Sequence, residues 1–361
     1  MSSISSISSI SSISSISSIS SISSISSIAA LPGYSGDTGS ALLAGALATT
    51  RAALLAGEVA GASVDREAKW SDGGAGVRLM RWSPEVRVSL CLSELLGAVT
   101  LDDKSTIRPQ SVCVLHNGQT LIDLQRPGPD DTRAQYQQVV AWATPHRNDR
   151  AAEILTQVVP PVSYLSAIVG LHPDRHPHTM EVLEACLRFA YATVMRCKDA
   201  LDVPRPAEWS SGLQPMLLTP GHASLPSGHA TEAFMAAEIL GALTGQGDPT
   251  KVRLRRLAHR IAENRVIAGL HYPMDSIAGL ALGEKLAELV WALATDGGPL
   301  SPIRFTPQPG PLTTTRTTDD GTDARAVNQR GCVEEGSPVK VAGASLKVLP
   351  QLVAQASKEW P

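Results

Sequence analysis

At 361 residues and a formal charge of −3, the chain is long enough for one large domain or two ordinary ones and too weakly charged to suggest a nucleic-acid binder. Aromatic residues make up 4% of it while Ala, Leu, Val and Gly abound, which fits closely packed helices better than a β-sandwich. The five cysteines (Cys91, Cys113, Cys186, Cys197 and Cys332) are odd in number and form no CxxC pair, so they read as reduced thiols, neither a disulfide framework nor a zinc site.

Nine Ser-Ser-Ile triplets fill residues 2–28. A period of three matches neither an amphipathic helix nor a strand, and serine is a poor helix former. With no basic n-region before it and too much serine for an h-region, the stretch does not read as a signal peptide. Residues 1–35 read as a disordered low-complexity segment, an expanded repeat or a start placed too early. Residues 36–130 form an N-terminal region, helical and alanine-rich over 40–62 and less regular over 75–125. Within it "SVCVLHNGQTLIDLQ" sets Asn117-Gly118 between two apolar runs, the mark of a small hairpin.

Residues 131–300 read as a helical domain. "DDTRAQYQQVVAWAT" opens on an acidic first turn, and "RNDRAAEILTQVV" follows, stopping at Pro160-Pro161. "HTMEVLEACLRFAYATVMRCKDAL" places Leu183, Leu187, Tyr191, Val194 and Met195 on one stripe. "HATEAFMAAEILGALTG", "KVRLRRLAHRIAENRVIAGL" and "PMDSIAGLALGEKLAELVWALA" supply three more helices, and Gly279, Gly283 and Ala287 recur every four residues on the last, where a neighbour can approach closely. The fold class expected is all-α, a helical bundle. Residues 301–361 read as a Thr/Pro/Gly-rich linker with a short docking tail. No apolar run reaches the roughly 18 residues a membrane span needs. "ALLAGALATTRAALLAG" is broken by Arg51, and "AGLALGEKLAELVWALA" by Glu284, Lys285 and Glu288, so a protein that is cytoplasmic or otherwise soluble is expected.

Four short stretches fall at helix ends. Lys198 stands in the last turn of its helix and Arg205 in the exit turn, stopped by Pro204 and Pro206. Pro226-Ser227-Gly228-His229 suits a helix first turn, where backbone N–H groups are free and the positive dipole end points outward. Arg265 and His271 follow, with Pro273 at helix position N1 and Asp275 near enough to bond the His271 ring. Three cations, a hydroxyl, free amides, two imidazoles and an orienting carboxylate suit a tetrahedral oxyanion such as phosphate, with no metal required. One imidazole can attack phosphorus while the other protonates the leaving oxygen.

Read together, "KDALDVPRP", "PSGH" and "NRVIAGLHYPMD" resemble the three-part signature of the type 2 phosphatidic acid phosphatase and vanadium haloperoxidase superfamily, and every spacing is met between residues 198 and 275. The one departure is Asn264, which stands where the pattern has a serine that supports the motif's arginine. The resemblance implies that Lys198, Arg205 and Arg265 hold the anion with Ser227 and the Gly228 amide. It makes His271 the nucleophile that forms a phosphohistidine, or the residue that bonds vanadium, with His229 as acid and base and Asp275 fixing the His271 tautomer.

His222 precedes His229 by seven residues, as a second histidine does in the resembling bromoperoxidases; it reads either as a halide-tuning residue or as a loop histidine touching solvent or phosphate. His172, His176 and His178 lie in a Pro-rich stretch without ligand spacing and read as a loop cap, not a metal site. "KVRLRRLAHR" reads as an exposed basic helix face that includes Arg260. Three functions stay open. The first is a metal-independent phosphatase acting on a small phosphorylated substrate, with no cofactor. The second is a vanadate-dependent haloperoxidase taking peroxide and halide, and the third an inactive anion-binding relative.

Overall fold

The computed structural model describes residues 41–54, 78–102, 109–158, 162–245, 248–295, 297–308, 332–342 and 346–361. The Ser-Ser-Ile repeat, the Pro160-Pro161 stop and residues 309–331 of the expected linker lie outside them. Helix α1 is Ala41–Leu54. Helix α2, Pro84–Gly97, buries Val88, Cys91 and Leu95 and starts on Pro84; that 3–4 spacing after a Ser-Pro entry sits in the stretch that reads as irregular. Strand β1 (Thr100–Asp102) pairs antiparallel with β2 (Ser111–His116), which pairs with β3 (Gln119–Gln125). The expected hairpin is present: Asn117 and Gly118 have φ of 49° and 76°, the left-handed pair that a two-residue turn between twisted strands requires.

Helix α3, Pro129–Thr156, is continuous, whereas the sequence suggests two helices. Pro145 lies inside it on the solvent face, where the carbonyl it frees meets water. After α4 (Val162–Val169) comes α5 (Pro177–Leu201), which buries Leu183, Leu187 and Val194 as expected but also most of its remaining circumference, while Tyr191 is 37% exposed. The short α6 is Pro206–Trp209 and α7 is Gly228–Leu243. Helix α8, Asp248–Ile267, turns Arg253, Arg256 and Arg260 to solvent, as the basic run suggests. Helix α9, Pro273–Ala294, is almost wholly buried.

The centre of the molecule is α7, packed against α9, α8 and α5. The small residues of α9 permit this approach. A Cβ on Gly279 would lie 2.6 Å from the Ser227 carbonyl oxygen, and one on Gly283 would strike the Thr231 backbone.

The expectation of an all-α fold needs correction. Mainly helical, the chain also forms a five-stranded sheet in the order β1-β2-β3-β5-β6, where β5 is Ile303–Phe305 and β6 is Val333–Glu335. A two-stranded sheet joins β4 (Gly297–Leu300) to β7 (Val339–Ala342). These strands of three or four residues carry no readable alternation, and they form because β3 offers a parallel edge to β5, pairing Ile122 with Ile303. Chain that reads as linker thus completes a sheet begun some 180 residues earlier. Helix α10 (Leu349–Ala356) docks its apolar face, and the Glu94 carboxylate accepts from the Val348 and Leu349 amides at its start. The Glu359 carboxylate likewise accepts from the His178 and Thr179 amides at the start of α5.

The three loop histidines are caps and packing, as expected. His176 stacks on Trp360 with centroids 4.1 Å apart, and His178 bonds Glu359. Among the described residues no group of three His, Cys, Asp or Glu side chains is placed to share a metal ion.

Candidate active site

The three motif segments converge at one end of the central helices. Lys198 occupies the last turn of α5, and the chain leaves through Asp202 in the left-handed region. Arg205 precedes α6, with its amide bonded to the Glu208 carboxylate at 2.7 Å. Ser227 caps α7, its Oγ accepting from the Ala230 amide, so Gly228 and His229 form the half-buried first turn of a 16-residue helix. His271 lies two residues before Pro273, the first residue of α9, and Asp275 is in its first turn.

Asp275 orients the His271 ring. Its Oδ2 accepts from the Ser224 hydroxyl at 2.6 Å, the Tyr272 amide at 2.9 Å and His271 Nδ1 at 3.0 Å. That arrangement assigns the imidazole proton to Nδ1 and leaves the lone pair on Nε2. Burial, then the charges of Arg205 and Lys198 and the neighbouring His229 and His222, hold His271 well below the usual histidine value, so the ring is neutral at neutral pH. Burial also raises Asp275 above the usual carboxylate value, against the hydrogen bonds from Ser224 and Tyr272 and the charges of Lys198 and Arg205. Ser224 is a site residue that sequence reading missed. It lies within the motif loop, but only the tertiary meeting of that loop with α9 gives its hydroxyl a partner.

The cations differ in how they are held. The Lys198 ammonium donates to the Ala223 and Ser224 carbonyls, both at 2.7 Å. Arg205 is completely engaged by the protein. Nε bonds the His222 carbonyl, Nη1 the Leu270 carbonyl and His271 Nε2, and Nη2 the His222 ring and the Ala223 carbonyl. Arg265 is the opposite case: Nη2 donates to the Ile154 carbonyl at 3.0 Å, while its buried Nε and Nη1 have no partner. Burial lowers Arg205 and Arg265 to about 10 each, and burial with the nearby Arg205 lowers Lys198 well below its usual value. A buried concentration of like charge with orphaned donors is relieved by an anion.

His229 is half-buried, with Nε2 3.3 Å from the Val158 carbonyl at the end of α3. Burial and the Arg265 charge lower it to about 3. His222 is exposed and accepts from Arg205 through Nδ1 at 3.0 Å, so in this state it is a support of the arginine. Another residue the sequence did not signal is Glu232, one turn beyond His229. Burial raises it to about 8 against the pull of Lys198, so it adds no negative charge near neutral pH. Beside Lys198 and His222 opens a cleft of about 1420 Å³, lined also by Arg126, Asp199, Glu208 and Trp209.

Residues 182–298 match the sequence model of the PAP2 superfamily. A decaprenylphosphoryl-5-phosphoribose phosphatase, found in two strains of Mycobacterium tuberculosis, is 38% identical to the chain over 72 residues. That stretch is 20% of this chain and 38% of the relative's length. Two solved structures are similar in part. A bacterial vanadium-dependent iodoperoxidase aligns over 42% of this chain and 46% of its own, at 15% identity and a TM-score of 0.36. A transmembrane PAP2-type phosphatidylglycerolphosphate phosphatase from Bacillus subtilis aligns over 44% of this chain and 81% of its own, at 17% identity and a TM-score of 0.35. Among the described residues, no helix of this chain is long and apolar enough to cross a membrane.

Proposed function

Residues 182–298 of this chain form a PAP2 superfamily domain, and from that premise we propose that the protein is a metal-independent phosphomonoesterase acting through phospho-His271. The observation that carries this reading is the pair of buried, partnerless donors on Arg265, whose charge reaches His229, together with a neutral His271 whose Nδ1 proton is held by Asp275. The curated relatives, named as phosphatases, support hydrolysis; the physiological substrate is proposed only as a small phosphorylated compound.

The substrate phosphoryl oxygens would take the open donors of Arg265, the third proton of Lys198, the Ser227 hydroxyl and the first-turn amides of α7. One oxygen would also displace His271 Nε2 from Arg205 Nη1, so that anion binding itself frees the nucleophile's lone pair. His271 Nε2 then forms a bond to phosphorus as the bond to the leaving oxygen breaks, and His229 gives that oxygen its proton. Water next attacks the phosphohistidine, His229 takes the water proton, the P–N bond breaks, and phosphate departs. Asp275 keeps the Nδ1 proton in place and stabilises the positive charge that His271 develops.

A second reading shares the observation that carries the first. Vanadate matches phosphate in charge and tetrahedral shape, and the orphaned Arg265 donors fit either anion. Lys198, Arg205 and Arg265 would hold its oxygens and His271 would be its protein ligand; when bound, it supplies the activation of peroxide for halide oxidation. The test is a parallel assay of the purified protein with p-nitrophenyl phosphate, and with vanadate, peroxide and bromide. Hydrolysis without bromide oxidation supports the phosphatase; the reverse result overturns it.

A further inference from the structure

Two of the groups around the site are held from outside the motif segments. The Arg265 guanidinium donates to the Ile154 carbonyl and the His229 ring lies against the Val158 carbonyl, both in the last turn of α3 and just beyond it. That turn precedes residue 182, where the family-matched segment begins. Asn264, with 0% exposure, ties the same turn to α8. Its Nδ2 donates to Glu153 Oε2 at 3.1 Å and Gln157 Oε1 at 2.9 Å, and its Oδ1 accepts from Arg150 at 3.0 Å. All three bonds cross between the two helices, and both amide protons are used. A serine hydroxyl has a single proton and a shorter reach, so it makes at most one of the two donated bonds.

We propose that Asn264 is a positioning residue: by pinning the Glu153–Val158 turn it fixes the two carbonyls that aim Arg265 at the anion and His229 at the leaving oxygen. This rests on the oxyanion-pocket reading of the site. The charged groups facing the turn are Arg150 and Glu153 on α3, and Arg260, Glu263 and Arg265 on α8. The Arg260–Glu153 pair is partly solvent-exposed and leaves the inner side of the turn to Asn264 and Gln157. With the amide gone, Gln157 loses its partner on α8, and the Ile154 and Val158 carbonyls are free to drift relative to Arg265 and His229. An error of about 1 Å in such positioning costs on the order of a hundredfold in rate.

The test is calorimetric binding of orthovanadate, a probe that needs no turnover, to wild type, Asn264→Ala, Arg265→Ala and the double variant, with thermal unfolding as the fold control. Asn264→Ala should weaken vanadate roughly fivefold to tenfold in a variant that still unfolds cooperatively, its Tm lowered by several degrees for the lost buried bonds. In the Arg265→Ala background the same change should add about twofold or less, because residues acting through one another are not additive. Asn264→Ser, which keeps one donor, should fall between and serves if the alanine variant does not fold. Wild-type affinity in either folded variant overturns the proposal, as does a loss undiminished in the double variant. Turnover measured in parallel separates the two readings: a wild type that binds vanadate and hydrolyses nothing overturns the hydrolase assignment alone.

Discussion

His271 and Asp275 meet through Nδ1 and Oδ2 at 3.0 Å, four residues apart across the start of α9, and that bond decides which nitrogen of the ring keeps its lone pair. Replacing His271 with Ala should therefore abolish turnover, since no other imidazole at the site has its Nδ1 proton held by a carboxylate. Rapid quenching of the wild type with a labelled phosphomonoester should trap an acid-labile phosphohistidine. Wild-type hydrolysis by the alanine variant would remove His271 from the mechanism.

Asp275→Asn should slow kcat by on the order of a hundredfold while leaving vanadate affinity within about threefold. The carboxylate acts on the imidazolium that forms during reaction, more than on ground-state binding. Its Oδ2 also accepts from Ser224 and Tyr272, so thermal unfolding has to accompany the kinetics. A variant that lost affinity at unchanged kcat would contradict the assigned role.

Anion binding should take up a proton. His229 is lowered to about 3 in the empty pocket by burial and by the Arg265 charge. A bound dianion offsets that charge and raises the histidine, so the complex holds more protons than the free protein between those two values. Affinity for sulfate, which stays a dianion across this range, should therefore rise as pH falls toward 5, and calorimetry in buffers of different ionisation enthalpy should report uptake. Proton release, or affinity that rises with pH in that range, would show that His229 does not face the anion.

Arg265→Ala and Arg260→Ala should differ sharply although both lie on α8. Arg265 offers two buried donors to the ligand, and a charged hydrogen bond contributes about 1.5–3 kcal/mol, so vanadate inhibition should weaken at least tenfold. Arg260 pairs with Glu153 at the surface, where such pairs contribute about 0–1 kcal/mol, and its loss should change inhibition by less than about fivefold. Equal effects would move the pocket elsewhere. EDTA should leave hydrolysis unchanged.

Gly279→Ala should destabilise the fold by about 1–3 kcal/mol, the usual cost of overpacking. The added methyl would lie 2.6 Å from the Ser227 carbonyl and 2.8 Å from the Ala230 Cβ. Because Ser227 caps α7 at the anion site, KM should rise as well; urea unfolding and steady-state kinetics measure the two effects.

The sequence by itself determined the motif segments and their places at helix ends. Lys198, Arg205, Pro226–His229, Arg265, His271 and Asp275 are recognisable because each sits at a helix end, where proline, serine and glycine have local reasons to be, and because fixed spacings tie the groups within each motif. The asparagine-glycine turn and the small-residue face of α9 were legible for the same reason: one or two residues specify the local geometry. What only the tertiary structure decided rests on partners far apart in the chain. The short strands carry too few residues for a period and exist through pairing, as Ile122 with Ile303 shows. Nothing near Arg265 in sequence says that its guanidinium bonds the Ile154 carbonyl, or that Arg205 is saturated while Arg265 keeps two donors open. Those facts depend on which carbonyls the packed helices bring within hydrogen-bond reach, and the spacing of residues along one helix carries no record of the helix beside it.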